Sequence, residues 1–175
     1  ATFTYRDGRF FKDGKPFYFL GAEYQYYRDK RSNWAARLDQ LKAGHVNVIC
    51  FYIPWRHHIQ HDSVTGAVSY DFDGKTFDSR DLRHFLALCE ERGLHMLAKP
   101  GPFVHSELNI GGLPDVSSPS FNPGIEPVRK GDDGPLYWEY DYTQMPSPND
   151  AAFDALAKRW LNEVGKVLRP HVAPK

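Results

Sequence analysis

This sequence has few cysteines, no formal net charge and no long apolar segment. The chain of 175 residues has two cysteines, Cys50 and Cys89, which lie in apolar segments far apart along it. This excludes a small disulfide-stapled scaffold and favours two buried free thiols over a disulfide. The redox compartment stays open.

The formal charge is balanced, with 22 basic and 22 acidic residues, so no net field attracts nucleic acid or an anionic membrane. No apolar run approaches the roughly 20 residues that cross a bilayer, and the first residues lack the basic-then-apolar layout of a signal peptide. The sequence therefore predicts a soluble protein without nucleic-acid or membrane partners. It does not distinguish a secreted or periplasmic protein whose signal peptide was removed before Ala1 from one that never had a signal.

The composition favours a folded core. Hydrophobic residues make up 41% of the chain and aromatic residues 15%, enough for a chain of this length to bury a core. Aromatic rings fill cores, and they also stack on the flat C–H faces of sugars, so the composition admits a carbohydrate site without demonstrating one.

Residues 1–16 are predicted to form a β-hairpin cap, because two Asp-Gly pairs, at 7–8 and 13–14, separate short segments rich in aromatic residues. Residues 17–175 form the main unit. Its first helix is predicted to be capped by Ser32 and to end at Gly44. The apolar, β-branched run 46–52 that follows is typical of a buried parallel strand.

The alternation then continues. Asp78 or Ser79 is predicted to cap a second helix, which leads into a strand over 94–99. Asn149 or Asp150 starts a third helix with a clear apolar stripe. Strand–helix units in succession predict an α/β fold whose parallel sheet either winds doubly or closes into a barrel.

We interpret the chain as the N-terminal portion, about three βα units, of a TIM (β/α)8 barrel. A complete barrel takes about 250 residues, so the remainder is expected on the same parent chain or on a second polypeptide. The loop 100–149, dense in Pro, Gly and Asp, far exceeds the usual two to six residues. A barrel carries such loops on the face where substrate binds, so this loop is expected to contribute to function.

Three segments at predicted strand ends carry a resemblance to a known family. Residues 25–28 read QYYR against the pattern His-Tyr-x-Arg, and residues 51–59 read FYIPWRHHI against Thr-Tyr-Val-Pro-Trp-Asn-x-His-Glu. Residues 99–114 read KPGPFVHSELNIGGLP against Arg-Pro-Gly-Pro-Tyr-Ile-Cys-Ala-Glu-Trp-x-x-Gly-Gly-x-Pro. In this order the segments resemble glycoside hydrolase family 35, the β-galactosidase-like enzymes, over about residues 13–170. The departures from the patterns include Gln25, Arg56, Ile59, His105, Ser106 and Leu108.

The resemblance implies a retaining exo-glycosidase that hydrolyses terminal β-galactosides or a related glycoside, with this segment forming a wall of the terminal-sugar pocket. It places the acid/base and nucleophile glutamates beyond Lys175. No catalytic residue is therefore expected in the segment, and the segment alone is expected to be inactive. The departures beside the sugar site leave the identity of the sugar and its linkage open.

Glu107 matches the family glutamate that accepts hydrogen bonds from hydroxyls of the terminal sugar. Considered without the family, its alternative roles are a general acid and a loop carboxylate paired with a Lys or Arg. Tyr52 matches a tyrosine that donates to the sugar, with core packing as its alternative role. Ser106, His105 and Asn109 complete the expected substrate-binding set.

Four neighbouring residues offer ordinary zinc ligands: His57, His58, His61 and Asp62. Adjacent histidines on an extended segment point to opposite faces, so a shared metal ion is not expected, and neither is a cofactor. Tyr26 is a weaker candidate for contact with substrate, and Trp55 is interpreted as a packing residue beneath the site. Two rival functions remain open: a non-catalytic carbohydrate-binding barrel and a metal-dependent hydrolase.

Overall fold

The computed structural model describes residues 2–138 and 142–172. In chain order its strands and helices are β1 (Phe3–Arg6), β2 (Arg9–Lys12), β3 (Lys15–Phe17), β4 (Gly21–Glu23), α1 (Trp34–Ala43), β5 (Val48–Tyr52), α2 (Trp55–His58), β6 (Ile59–His61), β7 (Val68–Tyr70), α3 (Leu82–Glu91), β8 (His95–Lys99) and α4 (Ala151–Leu168). Within the described residues, no helix is both long and apolar enough to cross a bilayer.

The first three strands form an antiparallel sheet in the order β1-β2-β3. Both Asp-Gly pairs of its turns adopt positive φ angles, as two-residue hairpin turns require. Aromatic side chains of this sheet lie against the first residue of β8, with the rings of Phe3 and Phe17 centred 5.2 and 5.4 Å from that of His95. The small sheet therefore packs at the amino-terminal end of β8.

A second sheet is parallel, with the order β4-β5-β8. Helix α1 connects β4 to β5, helix α3 precedes β8, and α4 follows the long loop after β8. Parallel strands need such crossover connections because a tight turn between two neighbouring strands would make them antiparallel. The strand–helix alternation establishes the α/β fold. Because the three strands are parallel, their carboxyl ends all lie at the same end of the sheet.

The two faces of the parallel sheet have different surroundings. Ile49 and Phe51 are fully buried on the helix-covered face, where the ring of Phe51 meets that of Phe85 at 5.1 Å. Burial of each such side chain contributes about 1.5–3 kcal/mol to folding. The other face is more open, and Leu97 in the outer strand β8 is 57% exposed. The core thus lies between sheet and helices.

The helix starts differ from the sequence prediction at two places. No side chain caps α1, which begins after a 3-10 turn over Arg31–Asn33, so Ser32 is not its cap. Helix α3 is capped by Asp81, whose carboxylate accepts from the backbone N–H of His84 at 3.0 Å. Residues 78–80 form a 3-10 turn before it, so Asp78 and Ser79 are not caps. Asp150 caps α4 as predicted.

The long loop after β8 is ordered by short 3-10 turns and isolated bridges, among them Pro127 with Pro146 and Tyr137 with Gln144. Residues 139–141 of this loop lie outside the described part of the chain. The indole N–H of Trp160 in α4 donates to the carbonyl oxygen of Pro100 at 2.7 Å, which ties the start of the loop to the helix. Both cysteines are free thiols, as predicted, but only Cys89 is buried, whereas Cys50 is partly exposed.

Candidate functional site

A pocket of about 310 Å³ lies where the loops after β4, β5 and β8 meet. Carboxyl ends of parallel strands are where ligands bind in α/β folds, because the connecting loops converge there. The lining residues are Tyr27, Pro54, Arg56, His57, Arg80, Glu107, Leu108 and Asn109.

Glu107 enters this pocket from a strained turn. Three consecutive residues, His105, Ser106 and Glu107, adopt left-handed φ angles of 60°, 48° and 49°. Each such non-glycine residue costs about 1–3 kcal/mol and persists only where its surroundings hold it. The turn is closed by Gly111, whose carbonyl oxygen accepts from the N–H groups of Val104 and His105 at 2.8 and 3.1 Å.

Gly111 cannot be replaced by a larger residue. Its φ angle is 58°, and a Cβ at this position would overlap the ring of Phe103. The glycine pair in the third sequence motif therefore has a steric reason, since it lets the chain fold back against the turn that carries Glu107.

Two side chains of the loop after β4, the first connecting loop, contact the strained turn. Arg28 donates through Nη2 to the carbonyl oxygen of Ser106 and through Nη1 to Oε2 of Glu107 at 3.4 Å. The hydroxyl groups of Tyr27 and Ser106 lie 2.9 Å apart. The side chain of Glu107 remains 77% exposed, so its ion pair with Arg28 is weak and its oxygens stay accessible to a ligand.

The structure brings only part of the predicted substrate-binding set together. Glu107 and Asn109 line the pocket, and Ser106 makes the contact with Tyr27. His105 faces the other way, with its ring centred 5.3 Å from that of Trp138 in the long loop. Tyr52 does not line the pocket.

Tyr52 lies instead within a polar cluster on the open face of the parallel sheet. The ammonium group of Lys99 sits 4.0 Å from the centre of the Tyr52 ring and donates to Glu23 at 3.0 Å. That hydrogen bond lowers the pKa of Glu23. The thiol of Cys50 lies 3.8 Å from the same carboxylate. These side chains come together because alternate residues of paired strands share a face.

The histidines serve structural and pocket-lining roles. His57 and His58 lie on the short helix α2, where the sequence had suggested an extended segment. His58 is fully buried between the hydroxyl of Tyr26 at 2.6 Å and the carbonyl oxygen of Asp71 at 2.7 Å. Burial lowers its pKa to about 3. Among the described residues, no group of three or more His, Cys, Asp or Glu side chains could hold a metal ion.

Tyr26 is therefore buried rather than in contact with a ligand, and Trp55 packs in the core, where its ring stacks on that of Trp160 at 6.1 Å. Sequence reasoning had not identified Arg80 as a pocket residue. No local signal marks it, because Arg80 reaches the pocket only where the connection between β5 and α3 folds back.

The comparisons with known proteins agree with the family resemblance that the three motifs carry. The model of glycosyl hydrolases family 35 matches residues 9–118. A beta-galactosidase from Mus musculus is 36% identical over 110 residues, which is 63% of this chain and 16% of that protein. An exo-beta-D-glucosaminidase from Thermococcus kodakarensis is 29% identical over 164 residues, which is 94% of this chain and 20% of that protein.

The chain therefore spans about a fifth or less of the length of these relatives. A solved endo-1,4-beta-mannanase from Rhizomucor miehei superposes with a TM-score of 0.45 at 18% identity, over 56% of this chain and 29% of that one, and adds nothing to the assignment. The family match covers more than half of the chain and includes the turn that carries Glu107. The chain belongs to glycosyl hydrolases family 35.

Proposed function

We propose that the chain forms part of a retaining exo-glycosidase acting on terminal β-galactosides or a related glycoside, and that its strand-end loops form one wall of the terminal-sugar pocket. Membership of the family supports this activity, and the matched relatives are named as a beta-galactosidase and an exo-beta-D-glucosaminidase. The substrate is a carbohydrate from which the outermost sugar is released.

We further propose that the parallel sheet is about three βα units of a TIM (β/α)8 barrel, preceded by the antiparallel sheet as a cap. Within the described residues, the outer edges of β4 and β8 pair with no other strand, and Leu97 is exposed on the open face. Unpaired edges and exposed apolar side chains favour further strands beside them. The partner for these edges is the remainder of the barrel, in the same parent chain or in a second polypeptide.

The observation that carries the proposed function is the presentation of Glu107. Its carboxylate is acceptor-only and accessible, and it is held by a strained turn that Arg28 and Tyr27 tether. A carboxylate fixed in this way suits the acceptance of hydrogen bonds from two sugar hydroxyls. The strain of the turn fits a role in ligand binding, since structures retain such conformations where geometry at a site demands them.

Hydrolysis with retention needs two carboxyl groups roughly 5–5.5 Å apart. Within the described residues, Glu107 is the only carboxylate that lines the pocket. We therefore assign the acid/base and the nucleophile to glutamates of the parent protein outside these 175 residues. On this assignment the segment alone has no hydrolytic activity. The same observation also fits the second candidate function, a barrel that binds a carbohydrate without cleaving it.

Assays of the full-length protein with chromogenic β-glycosides separate the two functions. The glycosidase hydrolyses at least one of a galactoside and a glucosaminide, and loses this activity when either catalytic glutamate is replaced. Glu107→Gln raises KM more than it lowers kcat, because the hydroxyl acceptor is weakened while the reacting carboxylates remain. Glu126→Gln, an exposed carboxylate in the same loop, is the control and leaves both constants unchanged. Binding of a sugar without turnover of any glycoside would favour the non-catalytic barrel.

A further inference from the structure

The charged side chains that line the pocket differ in whether they already have a counter-ion. Arg56 pairs with Asp115 at 2.6 Å, and Glu107 pairs with Arg28 at 3.4 Å. Arg80 has no carboxylate oxygen within 4.0 Å among the described residues. The guanidinium carbon of Arg80 lies 4.8 Å from the centre of the exposed Phe77 ring, which carries no formal charge. A partly buried cation in a polar pocket, without a carboxylate partner, is the group to which an anionic ligand adds most.

Arg80 is held rigidly by hydrogen bonds on two of its three nitrogens. Its Nε donates to the carbonyl oxygen of His57, and its Nη1 donates to the hydroxyl oxygen of Thr76 at 2.6 Å. Within the described part of the chain, no hydrogen bond is made by its Nη2. Two anchored nitrogens fix the plane of the guanidinium group, so Nη2 is pre-organised for an oxyanion.

The carboxylate that Thr76 links to Arg80, that of Asp71, already has its hydrogen bonds filled. Its carboxylate accepts from the hydroxyl of Thr76 at 2.6 Å and from the backbone N–H groups of Asp73, Lys75 and Thr76. These four hydrogen bonds use the lone pairs of both carboxylate oxygens. Asp71 therefore eases the burial of Arg80 at a distance, through Thr76, and does not replace a ligand oxygen on Nη2.

The neighbours of Arg80 in the pocket suit hydroxyl groups. Nε2 of His57 lies 3.0 Å from the carbonyl oxygen of Ser79, which can only accept, so Nε2 carries the proton. Burial and the nearby Arg80 lower the pKa of His57, so the ring is neutral and its Nδ1 is an acceptor. Asn109 supplies an amide and Glu107 a carboxylate. The pocket thus combines hydroxyl-binding groups with one guanidinium group that has no direct carboxylate partner.

We propose that this pocket binds an anionic sugar residue, a uronic acid or a sulfated sugar, and that Arg80 binds its carboxylate or sulfate group. This deepens the proposed function and rests on it, since it names the class of sugar that the strand-end loops recognise. Glu107, His57 and Asn109 take the hydroxyl groups of the same sugar. A neutral hexose would leave Nη2 of Arg80 without an anionic partner.

Matched sugars test the proposal on the full-length protein. The dissociation constants of D-galacturonate, D-galactose 6-sulfate and D-galactose are measured by calorimetry, with the two anions separating a carboxylate from a sulfate. At least one anion is expected to bind about 10- to 100-fold more tightly than galactose, the range for a hydrogen bond to a charged group. Wild-type protein that binds neither anion more tightly than galactose, or binds none of the three, overturns the proposal.

The variant Arg80→Gln is expected to abolish the preference for the anion and to leave the affinity for galactose within about threefold, a change below 1 kcal/mol. Arg83→Gln is the matched control, because Arg83 lies near in sequence but pairs with Asp73 at 3.1 Å outside the pocket. A preference that survives in Arg80→Gln overturns the assignment to Arg80. Should Arg80→Gln fail to fold, the wild-type comparison still decides the proposal.

Hydrolysis of chromogenic glycosides is measured on the same preparations. Turnover without an anion preference removes this inference and leaves the glycosidase function intact. An Arg80-dependent anion preference without any turnover supports the inference and removes the catalytic function.

Discussion

The hydroxyl group of Tyr26 lies 2.6 Å from Nε2 of His58, and both side chains are fully buried. Nδ1 of His58 donates to the carbonyl oxygen of Asp71 at 2.7 Å, so Nε2 is the acceptor and the Tyr26 hydroxyl is the donor. This neutral histidine joins the loop after β4, which carries Arg28, to the connection between β5 and α3, which carries Arg80. Its protonation state therefore bears on the stability of the site.

The protein is expected to lose stability as the pH falls below about 6.5, the ordinary pKa of histidine. His58 has a folded-state pKa of about 3, because burial disfavours its charged form. Between these values the unfolded chain binds a proton that the folded protein does not bind. The free energy of unfolding then falls by about 1.4 kcal/mol per pH unit as the pH decreases.

Urea unfolding at pH 7 and pH 5 measures this slope. His58→Gln should lower the free energy of unfolding at pH 7 and make the slope shallower. His57, whose pKa burial also lowers, keeps the slope from vanishing. The exposed His61 provides the control, and His61→Gln should leave the slope unchanged. An equal slope in His58→Gln and wild type would contradict this account of His58.

Arg28→Met is expected to weaken sugar binding by the full-length protein about tenfold, the lower end of the loss for a hydrogen bond to a charged group. The variant removes the contacts to the Ser106 carbonyl and to Glu107, which hold the strained turn. Arg28→Lys keeps the charge but loses the planar fork, so it should restore binding only in part.

Stability should change little in Arg28→Met, by about 1 kcal/mol or less, because the ion pair is exposed. Arg37→Met, at an exposed arginine 3.7 Å from Asp29, should leave sugar binding unchanged. Wild-type affinity in Arg28→Met would show that the turn holds Glu107 without help from the first connecting loop.

Trp160→Ala is expected to destabilise the protein by about 3–5 kcal/mol, the usual loss for a buried tryptophan. Trp160 stacks on Trp55 and donates its indole N–H to the carbonyl of Pro100. Trp160→Phe keeps a ring but loses the donor, and should cost about 1–3 kcal/mol. Chemical denaturation measures each value. The neighbouring Leu161 is 38% exposed, so Leu161→Ala should cost about 1 kcal/mol or less.

Asp81→Ala is expected to cost about 1–2 kcal/mol because helix α3 loses its cap and Arg31 loses its partner at 2.8 Å. Asp81→Asn retains a capping oxygen and should recover most of the loss. Thermal or urea unfolding compares both with Asp78→Ala, which should be close to neutral because Asp78 is exposed and caps no helix in the structure. A larger loss in Asp78→Ala than in Asp81→Ala would return the cap to the position that sequence reasoning favoured.

Local patterns in the sequence predicted much of the fold. The β-branched run 46–52 predicted a buried parallel strand, and the structure contains it as β5, flanked by parallel strands on both sides. The apolar stripe of α4 and the capping Asp150 follow from helical periodicity and from the unpaired N–H groups of a helix start. The cap of α3 was misplaced by two or three residues, because a 3-10 turn precedes the helix and Asp78, Ser79 and Asp81 are all good caps by chemistry alone.

The site was less accessible to such reasoning. Motif order singled out Glu107, yet its contact with Arg28 joins residues 79 positions apart, and no periodicity records such a contact. Tyr52 is the last residue of β5 and Glu107 follows β8, but the alternation of side chains places Tyr52 on the open face of the sheet beside Lys99. The balanced overall charge likewise said nothing about Arg80, a cation in a pocket that contacts Asp71 only through Thr76.

The sequence by itself determined the alternation of strands and helices, the two tight turns of the small sheet, the free thiols and the family, because each depends on neighbouring residues or on a motif read along the chain. Only the tertiary structure decided that His58 is a buried link, that Arg28 holds the turn of Glu107, and that Arg80 lines the pocket. Those features depend on where distant segments meet, and that is set by the packing of the whole fold around its core.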